Sequence, residues 1–192
     1  MEQRFNERRG EIRARNVINF LFLTMADIIN KVANSVLIVF DLEDYFPTEH
    51  YLNIDLSQWL FEGFILKEKE FREYLKQHNW NQYFDCNVTI AVPNDCIIPA
   101  WASIMVTSNL APFVKNVVVG SYNELLTSIY QQKLAQVDYS LYFNKAVILK
   151  GCSKKPVPES AYVFAVQQLQ KVAKSIMYGE ACSAVPLFKK AK

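Results

Sequence analysis

Glycine is scarce in this chain of 192 residues: Gly10, Gly63, Gly120, Gly151 and Gly179 are all it has. Scattered so widely, they cannot build a G-x-G-x-x-G dinucleotide loop, a P-loop or a G-x-S-x-G elbow, each of which needs clustered glycines for close backbone approach. Histidine occurs only at His50 and His78, too far apart for an H-E-x-x-H zinc helix. The four cysteines, Cys86, Cys96, Cys152 and Cys182, include no C-x-x-C pair, so redox and zinc-ribbon spacings are absent. Few, unclustered cysteines agree with a reducing cytoplasm. No apolar run approaches the ~20 residues that span a bilayer, so no membrane partner is expected.

Arginine is almost confined to one end. Residues 1–24 carry Arg4, Arg8, Arg9, Arg13 and Arg15 against Glu2, Glu7 and Glu11, whereas Arg72 is the only arginine thereafter. Beyond residue 24 acids and bases cancel, which gives a phosphate-backbone partner no electrostatic support, and no nucleic acid is expected. The leader has three readings. Met25 is the true initiator; or Val17 to Leu23 is the apolar stretch of a signal peptide with Thr24-Met25-Ala26 as its cleavage site; or the segment is an ordered helix. The expected organisation is an extension over 1–24 outside the domain and a single α/β domain over 25–192.

What the chain does contain is an alternation of strands and helices. Val36 to Phe40 is a β-branched and aromatic run, with Tyr51 to Leu56 and Leu60 to Leu66 as antiparallel partners and turn chemistry at Asp44 and Pro47. Lys67 to Asn79 places Phe71, Tyr74, Leu75 and His78 on one helical face. Strands follow at Val88 to Val92, Asn116 to Val119 and Ala146 to Leu149. Helices run from Pro99 to Ala111, from the capping box Ser121-Tyr-Asn-Glu124 to Gln136, and from Pro158 to Tyr178. The later strands are short continuous apolar runs, as in strands covered on both faces, and they recur at βαβ spacing. The expectation is a three-layer α/β sandwich with a parallel core sheet and an N-terminal antiparallel extension. No internal repeat is read from the sequence. His78, near a helix end, is expected to pack or cap there.

Candidate chemistry gathers where chains leave strands, since open α/β sheets bind ligands at their carboxyl edge. Cys86 precedes its strand and reads as a small apolar residue. Cys96 and Cys152 both follow strands. Gly151, Lys154, Lys155 and the amino end of the Pro158 helix favour thiolate at Cys152. Cys182 lies beyond Gly179, and a helix running to Tyr178 would deliver it to the opposite edge unless the chain turned back. Structural cysteines, a thiolate or soft-metal site of Cys152 and Cys182, and a disulfide all stay open. Asp95 and Trp101 are a second candidate set, for a cofactor or small molecule at the carboxyl edge. No catalytic residue can be named, and an enzyme is not the favoured reading.

Several runs carry a resemblance: Met25-Ala-Asp-Ile-Ile-Asn-Lys-Val-Ala-Asn-Ser35, Phe40-Asp-Leu-Glu-Asp-Tyr45, Leu66-Lys-Glu-Lys-Glu-Phe-Arg72, Ile98-Pro-Ala-Trp-Ala102, Lys150-Gly-Cys152 with Pro156-Val-Pro158, and Ala173-Lys-Ser-Ile-Met-Tyr-Gly-Glu180 followed by Cys182. Together they resemble the bacterial domain-of-unknown-function family numbered 2480, from Met25 to Lys190. The resemblance implies members that begin near Met25 and places Cys152 and Cys182 inside family motifs, while Cys96 and Ala181 depart from the pattern. It brings no established activity. Its link to iron–sulfur assembly implies an accessory factor in that process, or in sulfur or metal handling. Cys152 and Cys182 would then hold iron or zinc, or pass on a sulfur species, and iron–sulfur assembly proteins would be the partners. The alternative is a non-catalytic protein-binding module or homodimeric scaffold, which the abundant aromatics and the neutral domain suggest.

Overall fold

The fold is known from a computed structural model that describes residues 37–93, 96, 98–151, 154–180 and 182–191. Residues 1–36, and with them the expected boundary at Met25, lie outside the described residues, as do Asp95 and Cys152. Seven strands and four α-helices are described. The strands β1 (Leu37–Asp41), β2 (Tyr51–Asp55), β3 (Asn87–Ala91), β4 (Asn116–Val119), β5 (Ala146–Lys150), β6 (Ser175–Tyr178) and β7 (Val185–Lys189) form two sheets. One is ordered β1-β5-β6-β7, the other β2-β3-β4. The helices are α1 (Glu68–Gln77), α2 (Ala100–Leu110), α3 (Tyr122–Ala135) and α4 (Glu159–Val172).

All pairings are parallel except β6 with β7. The protein is therefore an α/β sandwich with parallel core strands and an antiparallel part, as the sequence predicts, but the antiparallel strand is the last one rather than the second. Tyr51–Asp55 does not fold back on β1; it enters the other sheet beside β3. The physical reason lies at the strand ends. Asp41 and Asp55 each accept the backbone N–H two residues on, from Glu43 at 3.0 Å and Ser57 at 2.8 Å. Each thereby starts a short 3-10 turn, Leu42–Tyr45 and Leu56–Trp59, in place of a hairpin. Leu60 to Leu66 is likewise no full strand but a tight turn closed by a Phe61–Ile65 bridge around Glu62 and Gly63, both at positive φ.

Those paired turns disclose an internal duplication that reading by eye misses. The segment β2–α1–β3–α2–β4 is matched by β1–α3–β5–α4–β6, so the first half is inserted into the second after β1. From the helix before the central strand onward the equivalent residues stand 59 positions apart: Phe71 and Tyr130, Leu75 and Leu134, Trp80 and Tyr139, Leu110 and Leu169, Gly120 and Gly179. The hydrogen bonds repeat with them. Trp80 Nε1 donates to the Leu75 carbonyl and Tyr139 Oη to that of Leu134, each at 3.0 Å. Asp85 and Asn144, both at left-handed φ, donate to the carbonyls of Phe113 and Val172. Aspartate and asparagine tolerate that conformation better than other side chains with a Cβ.

Each half has its own core. In the first, Ile54, Val88 and Ile90 of the sheet meet Phe71 and Leu75 of α1 and Ala102, Val106 and Leu110 of α2. In the second, Phe40, Val147, Leu149 and Ile176 meet Tyr130 and Leu134 of α3 and Ala161, Ala165 and Leu169 of α4. Helix α3 also packs on β3 and β4, where the Tyr122 ring lies tilted against that of Tyr51 at 4.6 Å. It covers the sheet face opposite α1 and α2, a face lined with Tyr51, Asn53 and Thr89 in one hydrogen-bonded chain. Three layers result around the three-stranded sheet, with α3 contacting its outer face while Tyr130 and Leu134 enter the second core.

The helix read from Pro158 to Tyr178 stops at Val172. Ala173 is extended (φ −73, ψ 151), and Ser175–Tyr178 is a strand beside β5. Leu169, Ala173 and Ile176 are buried in either geometry, so apolar spacing alone cannot separate the two. The capping box at Ser121 forms as expected: Glu124 N–H donates to Ser121 Oγ, and Glu124 Oε2 accepts from Ser121 N–H at 2.6 Å.

Two predictions arise here. Gly120 has φ +138, and a Cβ there would collide with the Glu124 carboxylate. Gly120→Ala is expected to cost about 1–3 kcal/mol through backbone strain and loss of the cap, measurable by urea unfolding. His78 caps α1 through its N–H to the Tyr74 carbonyl and packs edge-on against Trp59 and Trp80. Burial pushes its imidazole pKa down from 6.5. The unfolded chain then binds the proton more readily, so stability falls as pH drops below 6.5 towards the folded value. The Tm should be lower at pH 5.5 than at pH 7.5 by a margin that His78→Gln reduces; an equal margin in the variant would assign the effect elsewhere.

Candidate functional site

Because β1, β5 and β6 are parallel neighbours, their carboxyl ends Asp41, Lys150 and Tyr178 share one edge of the four-stranded sheet. Charged side chains meet there. Lys150 Nζ lies 3.1 Å from Asp41 Oδ2. Its ammonium pKa is raised, first by the hydrogen bond to Asp41, then by the Asp41 charge and the more distant Glu180. Glu43 is buried, and its Oε1 accepts the Lys154 N–H at 2.8 Å. Lys155 Nζ donates to the Glu43 carbonyl at 3.1 Å and lies 5.7 Å from the Phe46 ring centre. The first 3-10 turn and the chain after β5 are thus tied together by two hydrogen bonds to one residue.

Gly151 opens this loop. A Cβ there would come within 2.8 Å of the Tyr162 hydroxyl and 3.1 Å of Leu42, which explains the glycine. Cys152 follows, outside the described residues, and the chain resumes at Lys154. Beyond β6, Gly179 (φ +110) turns the chain, Ser183 N–H donates to the Glu180 carbonyl at 2.9 Å, and Cys182 is exposed. Strand β6 corrects the expectation that the last helix carries Cys182 to the far edge. Leu149 pairs with Tyr178 across two adjacent parallel strands, so the segments bearing Cys152 and Cys182 leave the same edge.

The duplication supplies an internal control. Lys150, Gly151, Cys152, Lys154 and Lys155 correspond to Ala91, Val92, Pro93, Asp95 and Cys96 in the first half. Glu43 corresponds to Ser57, Tyr162 to Ser103 and Glu180 to Ser121. Scaffold positions and the aspartate Asp41/Asp55 agree between the halves, while the charges of Glu43, Lys150, Lys155 and Glu180 belong to the second alone. Asp41, Glu43, Lys150 and Tyr162 escaped the sequence reading; the Asp-Leu pairs at 41–42 and 55–56 were the available signal.

The other candidates fall on the three-stranded sheet. Trp101 packs edge-on against Phe71 at 6.0 Å with the Arg72 guanidinium 5.9 Å from its ring. Cys96 Sγ is 3.6 Å from the Gly63 carbonyl, and Cys86 is buried in the first core, as a small apolar residue should be. Among the described residues no group of three or more histidine, cysteine, aspartate or glutamate side chains could hold a metal ion, and no helix is long and apolar enough to cross a membrane.

No curated protein and no solved structure matches the chain. One family model does, over residues 26–190, a span that takes in both halves and both candidate cysteines. By that match the chain belongs to the family described as Protein of unknown function (DUF2480).

Proposed function

We propose that this protein handles sulfur or a soft metal through Cys152 and Cys182, as an accessory factor of the kind that iron–sulfur cluster assembly requires. The observation that carries the reading is the parallel pairing of β5 with β6, whose carboxyl ends lead into the two cysteine segments. Two thiolates can hold iron or zinc by softness; alternatively one takes the outer sulfur of a donor persulfide, freeing the donor thiolate, and the other attacks the inner sulfur of the resulting persulfide, expelling hydrosulfide and leaving a disulfide that a thiol reductant reopens. Lys154 and Lys155, close to Cys152 in sequence, favour thiolate there. Iron–sulfur assembly proteins in the cytoplasm would be the partners in that role.

Anaerobic purification followed by iron, zinc and sulfane-sulfur determination tests it, with Cys152→Ala and Cys182→Ala prepared alongside. Metal or sulfur present in the parent and lost in either variant supports the proposal. Equal, negligible amounts in all three refute it.

One observation favours a second reading, a protein-binding module or homodimeric scaffold. The turn after β2 presents Phe61, Phe64 and Ile65 at 41%, 52% and 43% exposure, three apolar side chains open to water within one short turn. Sedimentation at increasing concentration should then reveal self-association that Phe64→Asp abolishes.

A further inference from the structure

We infer that the cleft between α4 and β7 binds an organic amine, a small molecule with an apolar or aryl body and a cationic head. The cleft has a volume of about 730 Å³, inside the range of roughly 300–1,000 Å³ usual for small-molecule sites. Val163 and Val166 of α4 and Leu187 of β7 form its aliphatic walls. Val163 and Leu187 are 54% and 47% exposed, so a ligand body laid between them removes apolar surface from water. Among the described residues its ionisable lining is Glu159 and two tyrosines, Tyr162 and Tyr178, whose rings meet edge to face at 5.6 Å, with no lysine or arginine. A carboxylate beside aromatic rings attracts a cation and repels an anion.

The duplication gives independent support. In the first half the residues equivalent to Glu159, Tyr162 and Tyr178 are Ala100, Ser103 and Val119. The first half also has no counterpart of β7, since α3 follows β4 directly. Both halves share one scaffold, yet the carboxylate, the rings and the second wall occur in the second half alone, where they converge on one cleft. The inference goes beyond the thiol reading and does not depend on it.

Isothermal titration of the full chain with 4-phenylbutylamine, 4-phenylbutanol and 4-phenylbutyrate tests it. Saturable binding is expected, with the amine preferred to the carboxylate by roughly tenfold. Glu159→Gln should shrink that preference towards unity and leave the alcohol unchanged. Val163→Ser and Leu187→Ser, both at exposed positions, should weaken all three compounds together. The double change Cys152→Ala, Cys182→Ala should alter none of them, which separates this result from the fate of the thiol reading. Absence of saturable binding, a carboxylate bound as tightly as the amine, or a preference that survives Glu159→Gln would each overturn the assignment.

Discussion

Phe40→Ala is expected to destabilise the protein by about 3–5 kcal/mol, the usual cost of removing a buried phenyl ring from a core that cannot collapse around the space. Phe40 is 1% exposed and sits on β1, the strand that precedes the inserted half and yet completes the second sheet. Its ring stacks on Tyr45 at 5.5 Å and Tyr139 at 6.0 Å and meets Tyr142 edge-on at 5.4 Å. The ring therefore joins β1 and the turn that follows it to the turn before β5, on the far side of the inserted half. The three tyrosines also lose water in this cluster, and burial pushes the Tyr139 hydroxyl pKa up to about 12. Phe40→Leu keeps most of the volume and should retain more than half of the lost stability. Urea unfolding followed by circular dichroism measures both. A cost below about 1 kcal/mol for the alanine variant would mean that β1 is not an integral strand of the second half.

The largest functional effect is expected at the two cysteines. Either Cys152→Ala or Cys182→Ala alone should reduce bound metal to background, because a two-thiol site loses its chelate when one sulfur is removed; bound sulfane sulfur should vanish only in the variant that lacks the carrier and persist in the one that lacks the releasing thiol. Two independent single-thiol sites would instead each lose only their own share. Cys86→Ala and Cys96→Ala provide the contrast: Cys86 is buried in the first core, and Cys96 follows β3 in the other sheet. Neither should change the content. Loss confined to Cys96→Ala would move the site to the three-stranded sheet and away from the charged edge.

The sequence carried the parallel core, the capping box at Ser121 and the packing of His78 openly, because each rests on local chemistry: continuous β-branched runs, a Ser-x-x-Glu spacing, an apolar helical face. It concealed what depends on distant partners. Ser175–Tyr178 satisfies helical and strand burial equally, and only β5 alongside it decides the outcome. Tyr51–Asp55 has the composition of a hairpin partner, yet the Asp41 side chain starts a turn that sends the chain to another sheet. The duplication was masked because equivalent core positions exchange one apolar side chain for another, Phe71 for Tyr130, Val106 for Ala165, Val117 for Ile176. A repeat that keeps hydrogen bonds and burial while changing residues shows in the backbone before it shows in the letters. At the candidate site the overlong helix displaces Cys182 to the opposite edge of the sheet, whereas β6 leads its segment to the edge where β5 ends. Lys150 and Asp41 stand in the runs that carry the resemblance, yet nothing in the letters marks them as a pair, because charged residues at strand ends are common and their pairing spans the inserted half.

Cross-linking with dibromobimane, a reagent that bridges two nearby thiols, is the most direct measurement on the thiol edge. In a Cys96→Ser background a fluorescent product is expected whose proteolytic digest contains the peptides of Cys152 and Cys182 joined through one bimane. Recovery of both peptides with separate single adducts and no bridged species would contradict it.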